Sequence, residues 1–281
     1  MPGLQVADPG VAGRPAELTA FVRSLRAAVS SAFPTATTRI AWHPGPACDE
    51  EDLLALLEGG SDIIADSYIL PSVTSSIPAR RLVLPAAACD GGTLASAVAG
   101  GCGRVVVETD EEIPALAFTA HQAGRRARVV LAVDGREFSG LSGSDQDMSD
   151  RLAEGAAIAA LKEILRRQAD LELVGLQEAD GCRQHVCAGP GRIGPAQGLM
   201  LLRRTFWATD GFLLPMVALP ASVSIRAGSD AVMSFREGCL SRLAPAMYRT
   251  NARLGLPMPV VALDLEPFEG AGPGSSCTIQ Q

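Results

Sequence analysis

Arg104-Val105-Val106-Val107-Glu108-Thr109-Asp110-Glu111-Glu112-Ile113-Pro114-Ala115-Leu116-Ala117-Phe118-Thr119-Ala120-His121-Gln122, followed by Ala123-Gly124-Arg125-Arg126-Ala127-Arg128-Val129-Val130-Leu131-Ala132-Val133, decides the fold. Both ends are apolar on successive positions and rich in valine, as in strands covered on both faces. Between them Ile113–Gln122 reads as a helix, and Asp110-Glu111-Glu112 puts carboxylates in its first turn, where the helix dipole favours them. The stretch is therefore a strand–helix–strand unit whose two strands run parallel.

The same unit recurs on both sides. Candidate strands are Thr38–Trp42, Asp62–Ala65, Arg81–Leu84, Arg104–Val107, Arg128–Val133, Leu171–Leu176, Leu213–Leu219 and Val260–Leu263. The clearest helices are Pro15–Ser31, Glu51–Leu57, Leu94–Ala99, Ile113–Gln122, Arg151–Arg167 and Gln197–Thr209. A last one, Asp230–Leu254, contains Pro245 and is expected to bend or split there. Eight such units in one chain predict a (β/α)8 barrel of the TIM type over residues 1–268, with a flexible Gly/Ser/Pro-rich tail over 269–281. An open doubly wound sheet is the competitor, but its G-x-G-x-x-G turn is missing: His43-Pro44-Gly45-Pro46 follows the first strand.

Composition narrows the function. A net charge of −7 leaves no electrostatic footprint for nucleic acid or an anionic membrane, and no apolar run is long enough to span a bilayer. The N-terminus lacks the layout of a signal peptide and the seven cysteines are an odd number, so a reduced, cytoplasmic protein is expected. Cys182, His185 and Cys187 lack a fourth ligand and a common zinc spacing, so no metal is assigned to them. Gly189-Pro190-Gly191-Arg192-Ile193-Gly194 is read as an ordinary loop rather than an anion cradle. Trp42 and Trp207 are read as packing residues and His121 as a solvated helix-end residue.

In barrels of this type chemistry sits at the C-terminal ends of the strands. Reading those ends brings His43, Asp66, Asp134 and Glu178 to the mouth, with Glu108, Asp264 and Glu266 in the same ring. Such a set can serve metal-assisted or acid/base chemistry; the competing reading is that the carboxylates cap the helices that follow each strand.

The ordered strand list also carries a family resemblance. Gln5-Val6-Ala7-Asp8-Pro9-Gly10, Arg39-Ile40-Ala41-Trp42-His43-Pro44, Gly60-Ser61-Asp62-Ile63-Ile64-Ala65, Ile77-Pro78-Ala79-Arg80-Arg81-Leu82-Val83-Leu84, Val174-Gly175-Leu176 and Leu265-Glu266-Pro267 fall in order. They are similar to the barrel domain of the ornithine/diaminopimelate/arginine decarboxylases, an alanine racemase-like, pyridoxal phosphate-dependent family. The resemblance is greatest to ornithine decarboxylase and its inactive relatives, the antizyme inhibitors.

The departures matter as much. The family's Schiff-base lysine falls on His43, and the chain holds a single lysine, Lys162, in a helical stretch; the other 23 basic residues are arginine. The ring-stacking histidine falls near Ala179 and the phosphate-holding glycines near Pro220-Ala221-Ser222, where Pro220 has no N–H to donate. The Gly-Arg of the last motif is replaced by Phe268-Glu269. Asp62 and Glu266, the acid that would pair with the pyridine nitrogen, survive as vestiges of the cofactor site. The resemblance also implies a C-terminal β-domain, which is expected to be absent. The expectation is thus a barrel without pyridoxal phosphate or metal, serving as a non-catalytic regulator or partner in polyamine metabolism, with an ornithine decarboxylase homologue or an antizyme as partner. The alternatives are a pyridoxal phosphate-independent enzyme, metal-assisted or acid/base, using His43, Asp66, Asp134 and Glu178, or an active pyridoxal phosphate-dependent decarboxylase.

Overall fold

A computed structural model describes residues 15–45, 48–65, 76–138, 141–179, 193–223 and 229–267. Eight parallel strands, β1 (Thr38–Trp42), β2 (Asp62–Ile64), β3 (Leu82–Pro85), β4 (Arg104–Val107), β5 (Ala127–Val133), β6 (Leu171–Glu178), β7 (Met216–Val223) and β8 (Val260–Pro267), form a closed barrel in sequence order. Closure rests on five pairs between β1 and β8, from Thr38↔Val261 to Trp42↔Leu265. The helices surround it: α1 (Pro15–Ala32), α2 (Glu50–Gly59), α3 (Gly91–Gly100), α4 (Glu112–Gln122), α5 (Asp145–Ala153), α6 (Ala156–Arg166), α7 (Pro195–Asp210), α8 (Ser229–Phe235) and α9 (Ser241–Leu254). This is the TIM-type architecture that the strand pattern predicts. No helix among the described residues is long and apolar enough to cross a membrane.

Many element bounds shift by a few residues, and three differences from expectation have a local reason. The helix expected over Arg151–Arg167 is two, broken at Glu154-Gly155; glycine is a poor helix interior residue, and here Gly155 caps α6. Ahead of the break α5 starts on a capping box, in which Ser144 and Asp147 satisfy each other's backbone N–H groups. The seventh strand begins at Met216 rather than Leu213, because the buried Arg203 donates from Nε to the Leu214 carbonyl at 2.6 Å and from Nη1 to the Pro257 carbonyl at 2.9 Å. The last helical stretch does not break at Pro245, which lies inside α9; the irregularity is a π-helical turn at Arg236–Leu240, just upstream.

Strand alternation creates two environments. Ile40, Trp42, Val105, Val107, Val129, Leu131, Leu263 and Leu265 pack outward with the helices in one large core. Trp42 is 2% exposed and meets the ring of Phe21 on α1 edge-to-face at 6.3 Å. The barrel interior is lined by smaller residues, Ala41, Ile64, Val83, Val106 and Ala132 in one cluster and Val130, Val174, Met216, Ala218 and Ala262 in another. So many alanines leave room, and a charged pair uses it. Arg104 on β4 reaches across to Asp264 on the opposite strand β8, their side chains 7% and 6% exposed, and Arg104 Nη1 also lies 3.6 Å from Met216 Sδ.

Removing one member of a buried ion pair leaves an uncompensated charge, whereas replacing both by apolar side chains of similar volume costs little. Asp264→Ala is expected to lower stability by about 3–5 kcal/mol in urea denaturation, and the double change R104M/D264L to recover most of that loss. A single variant within about 1 kcal/mol of the parent would show that the pair does not brace the interior.

Candidate functional site

The C-terminal ends of the strands form the mouth, and alternation sets which residues look into it. Ala41 belongs to the interior cluster and Trp42 to the outer core, so His43, next along, faces inward; it is half-buried and its backbone N–H donates to the Leu265 carbonyl at 2.8 Å. One step beyond the Trp42↔Leu265 pair, His43 lies beside Glu266. Glu266 shares its face of β8 with Ala262 and Asp264 and is opposite Ser222 on β7. His43 and Glu266 are therefore neighbours at the closure seam.

The other candidate residues are placed apart from this pair. Asp134 follows β5 and is occupied locally: its carboxylate accepts from the backbone N–H and from Nε of Arg136, both at 2.8 Å, opening the short 3-10 turn Gly135–Phe138. That hydrogen bonding holds its carboxyl below the usual aspartate value. Glu178 is 2% exposed. A bulge in β6 moves it: Val129 pairs with Leu173 and Val130 with Gly175, so Val174 is extra and alternation resets. Beyond the bulge Leu176 joins the outer core and Ala179 packs on the interior cluster, which sets Glu178 on the helix side with Leu176 and turns Gln177 inward. Gly175 is required there, since a Cβ would lie 2.6 Å from the Met216 carbonyl oxygen.

Asp62 opens β2, well below the mouth. Its carboxylate accepts from Arg81 Nε at 2.6 Å, with Arg39 3.9 Å away. Asp264, read from sequence as a mouth residue, is engaged with Arg104 inside the barrel. Asp66, Cys182, His185, Cys187, Gly189–Arg192, Phe268 and the tail lie outside the described residues. Several carboxylates near strand ends do cap helices: Asp49 accepts from the Asp52 N–H at 2.9 Å, and Asp90 from the Thr93 N–H at 2.8 Å. No group of three His, Cys, Asp or Glu residues able to hold a metal is found among the described residues.

The other residues weighed against the resembled family's cofactor site can also be located. Lys162 is on α6, in the outer ring, and its Nζ lies 3.7 Å from Asp210 at the C-terminal end of α7. Helices after each strand run back toward the foot, so this pair sits near the end opposite the mouth. Pro220, Ala221 and Ser222 lie within β7, in register with Asp264, Leu265 and Glu266, so this backbone continues the ladder instead of opening into a loop. The packing residues fare differently from each other: Trp207 is 41% exposed with the Arg204 guanidinium carbon 4.9 Å from its ring centre, not buried between helices. His121 stands at the exposed end of α4, 3.2 Å from Asp170.

No family model and no curated protein matches the chain. Solved structures do. Diaminopimelate decarboxylase from M. jannaschii, in co-complex with L-lysine, is 16% identical over 87% of this chain and 58% of its own, with a TM-score of 0.61. Lysine decarboxylase from Selenomonas ruminantium is 14% identical over 88% of this chain and 59% of its own, TM-score 0.53. Ornithine decarboxylase from Entamoeba histolytica is 17% identical over 88% of this chain and 63% of its own, TM-score 0.52. A structure titled as an SrLDC mutant in complex with PLP also matches, with a TM-score of 0.54. At these identities the likeness is one of fold, and the chain spans about three fifths of the length of these proteins.

The Asp134 hydrogen bonds give a pH test. A carboxyl lowered in the folded state contributes its full stability above the unfolded-state value of about 3.9 and loses it as pH falls through the lower folded value. Asp134→Asn is therefore expected to be less stable than the parent at pH 7, by under about 1 kcal/mol because the group is partly solvated, with the difference fading below about pH 4. Chemical denaturation at pH 7 and pH 3 checks it; a difference that grows toward acid would contradict it.

Proposed function

We propose that this chain is a decarboxylase-type barrel that does not carry pyridoxal phosphate and acts as a cytoplasmic, non-catalytic partner or regulator in polyamine metabolism, in the manner of an antizyme inhibitor. The observation that carries the first half is the position of the chain's one lysine: Lys162 is on the outer ring, paired with Asp210. The cofactor chemistry of such barrels begins with an ε-amine, and the imidazole of His43 cannot replace one.

The phosphate side points the same way. Pro220 has no N–H for an oxyanion, and the backbone around it is committed to the ladder with β8. Glu269 stands in sequence where the resembled family has an arginine, so a phosphate would meet a like charge. Glu266 and Asp62 are retained acids without the group they would serve, and His43 stands in sequence where the resembled family has its lysine. The residues present do not fit pyridoxal phosphate.

The second half rests on the fold shared with ornithine, lysine and diaminopimelate decarboxylases and on the ordered resemblance of residues 5–267. A partner of such an enzyme keeps its fold while losing its chemistry. The adjacency of His43 and Glu266 at the seam favours a second reading, acid/base chemistry at the mouth without pyridoxal phosphate.

The test combines two measurements on the full chain. Affinity capture from the native cell extract followed by mass spectrometry is expected to recover an ornithine decarboxylase or an antizyme. Purified protein with added pyridoxal phosphate is expected to release no carbon dioxide from ornithine. Decarboxylation by the parent that disappears in Lys162→Ala would overturn the proposal, as would failure to capture either partner.

A further inference from the structure

At the foot of the barrel, the end away from the mouth, a cavity of about 380 Å3 opens among the first residues of six strands. Arg39 is the second residue of β1, Arg104 opens β4, Arg128 and Glu172 are second in β5 and β6, and Met216 and Val260 open β7 and β8. Four arginines line it, Arg39, Arg104, Arg126 and Arg128, against one carboxylate, Glu172. This is a local surplus of positive charge in a chain whose net charge is −7.

The guanidinium groups are only partly used. Each offers five N–H donors in a planar fork. Arg126 donates from Nη2 to the Leu171 carbonyl at 3.1 Å, and Arg128 from Nη1 to the Gly103 carbonyl at 3.1 Å. Glu172 is 3.7 Å from Arg128, with both side chains nearly half exposed, where such a pair is weak. Arg39 approaches Asp62 only at 3.9 Å, while Asp62 is already held by Arg81 at 2.6 Å. Arg104, at the inner wall, spends Nη2 on Asp264, but its Nε is buried with no hydrogen-bond partner among the described residues.

Apart from Gln168, the other walls are mainly apolar, with Leu165, Phe212, Pro215 and Met216 among them. Guanidinium forks beside an apolar wall suit a ligand with a compact anionic head and an apolar body. Phosphate fits the head better than carboxylate, because its oxygens can engage several forks at once.

We propose that this basal cavity binds a phosphate monoester carried on a small apolar or aromatic body. The site is separate from the mouth and independent of the function proposed above. Charged residues at the foot of a barrel can serve stability alone, so the test separates binding from bracing.

The experiment is isothermal titration calorimetry of the full chain with phenyl phosphate, inorganic phosphate and benzoate. Saturable binding of phenyl phosphate is expected, with inorganic phosphate and benzoate each weaker by about tenfold or more. Affinity should fall as salt is raised. The double variant R126Q/R128Q changes partly exposed side chains and should keep its circular dichroism spectrum, while its affinity for phenyl phosphate drops by about tenfold or more. Arg166→Gln, on the outer face of α6, should bind like the parent. No saturable binding up to about 10 mM, or equal affinity in R126Q/R128Q and the parent, would overturn the proposal. Equal affinity for inorganic phosphate would overturn the part assigned to the apolar wall.

Discussion

Pairing of β8 with β1 is the constraint from which the other features follow. The five-residue register Thr38↔Val261 to Trp42↔Leu265 turns a row of parallel strands into a closed surface with no edge. Once closed, every strand residue faces either the helices or a shared interior. The outer face takes the bulky aliphatics, and the inner face takes alanine and valine. Small inner residues leave a space that the Arg104–Asp264 pair crosses. Closure also places His43 and Glu266 side by side at the seam, and gathers four arginines from the starts of β1, β4 and β5 at the foot.

Much of this architecture is legible in the chain. Eight apolar runs predict eight strands, and two of them, Thr38–Trp42 and Arg104–Val107, have the observed bounds. Strand ends are harder to read. β7 and β8 run on to Val223 and Pro267 because each supplies the other's ladder partners, a tertiary fact with no local signature. The site is less legible still. Period-two reading points Glu178 into the mouth, and one extra residue at Val174 reverses it; no glycine or proline sits at the bulged position itself, although Gly175 beside it is a signal that could have been used. Asp264 looks like a mouth residue until Arg104 is seen opposite, and the only hint was an arginine opening an otherwise apolar strand. Asp66 lies outside the described residues.

The functional account joins two facts of different kind. The fold is that of known decarboxylases, three of which share the barrel over nearly nine tenths of this chain. The chemistry that such barrels host through pyridoxal phosphate needs an amine at the mouth, and here the one amine side chain is on the outer ring beside Asp210. A fold persists when its packing is kept, whereas a cofactor site is lost when a few side chains change. On the proposed reading, His43 at the seam and Pro220 in the ladder are changes of that kind, and neither disturbs the closure that holds the barrel together.

The central claim is that no residue of this chain forms a covalent imine with pyridoxal phosphate at a built site. Incubating the native protein with a stoichiometric amount of the cofactor, reducing with borohydride and measuring the intact mass tests it most directly. The account predicts an unchanged mass for the parent, as for Lys162→Arg. A mass increase of one reduced pyridoxyl phosphate on the native parent, absent from Lys162→Arg and from the unfolded chain, would contradict it.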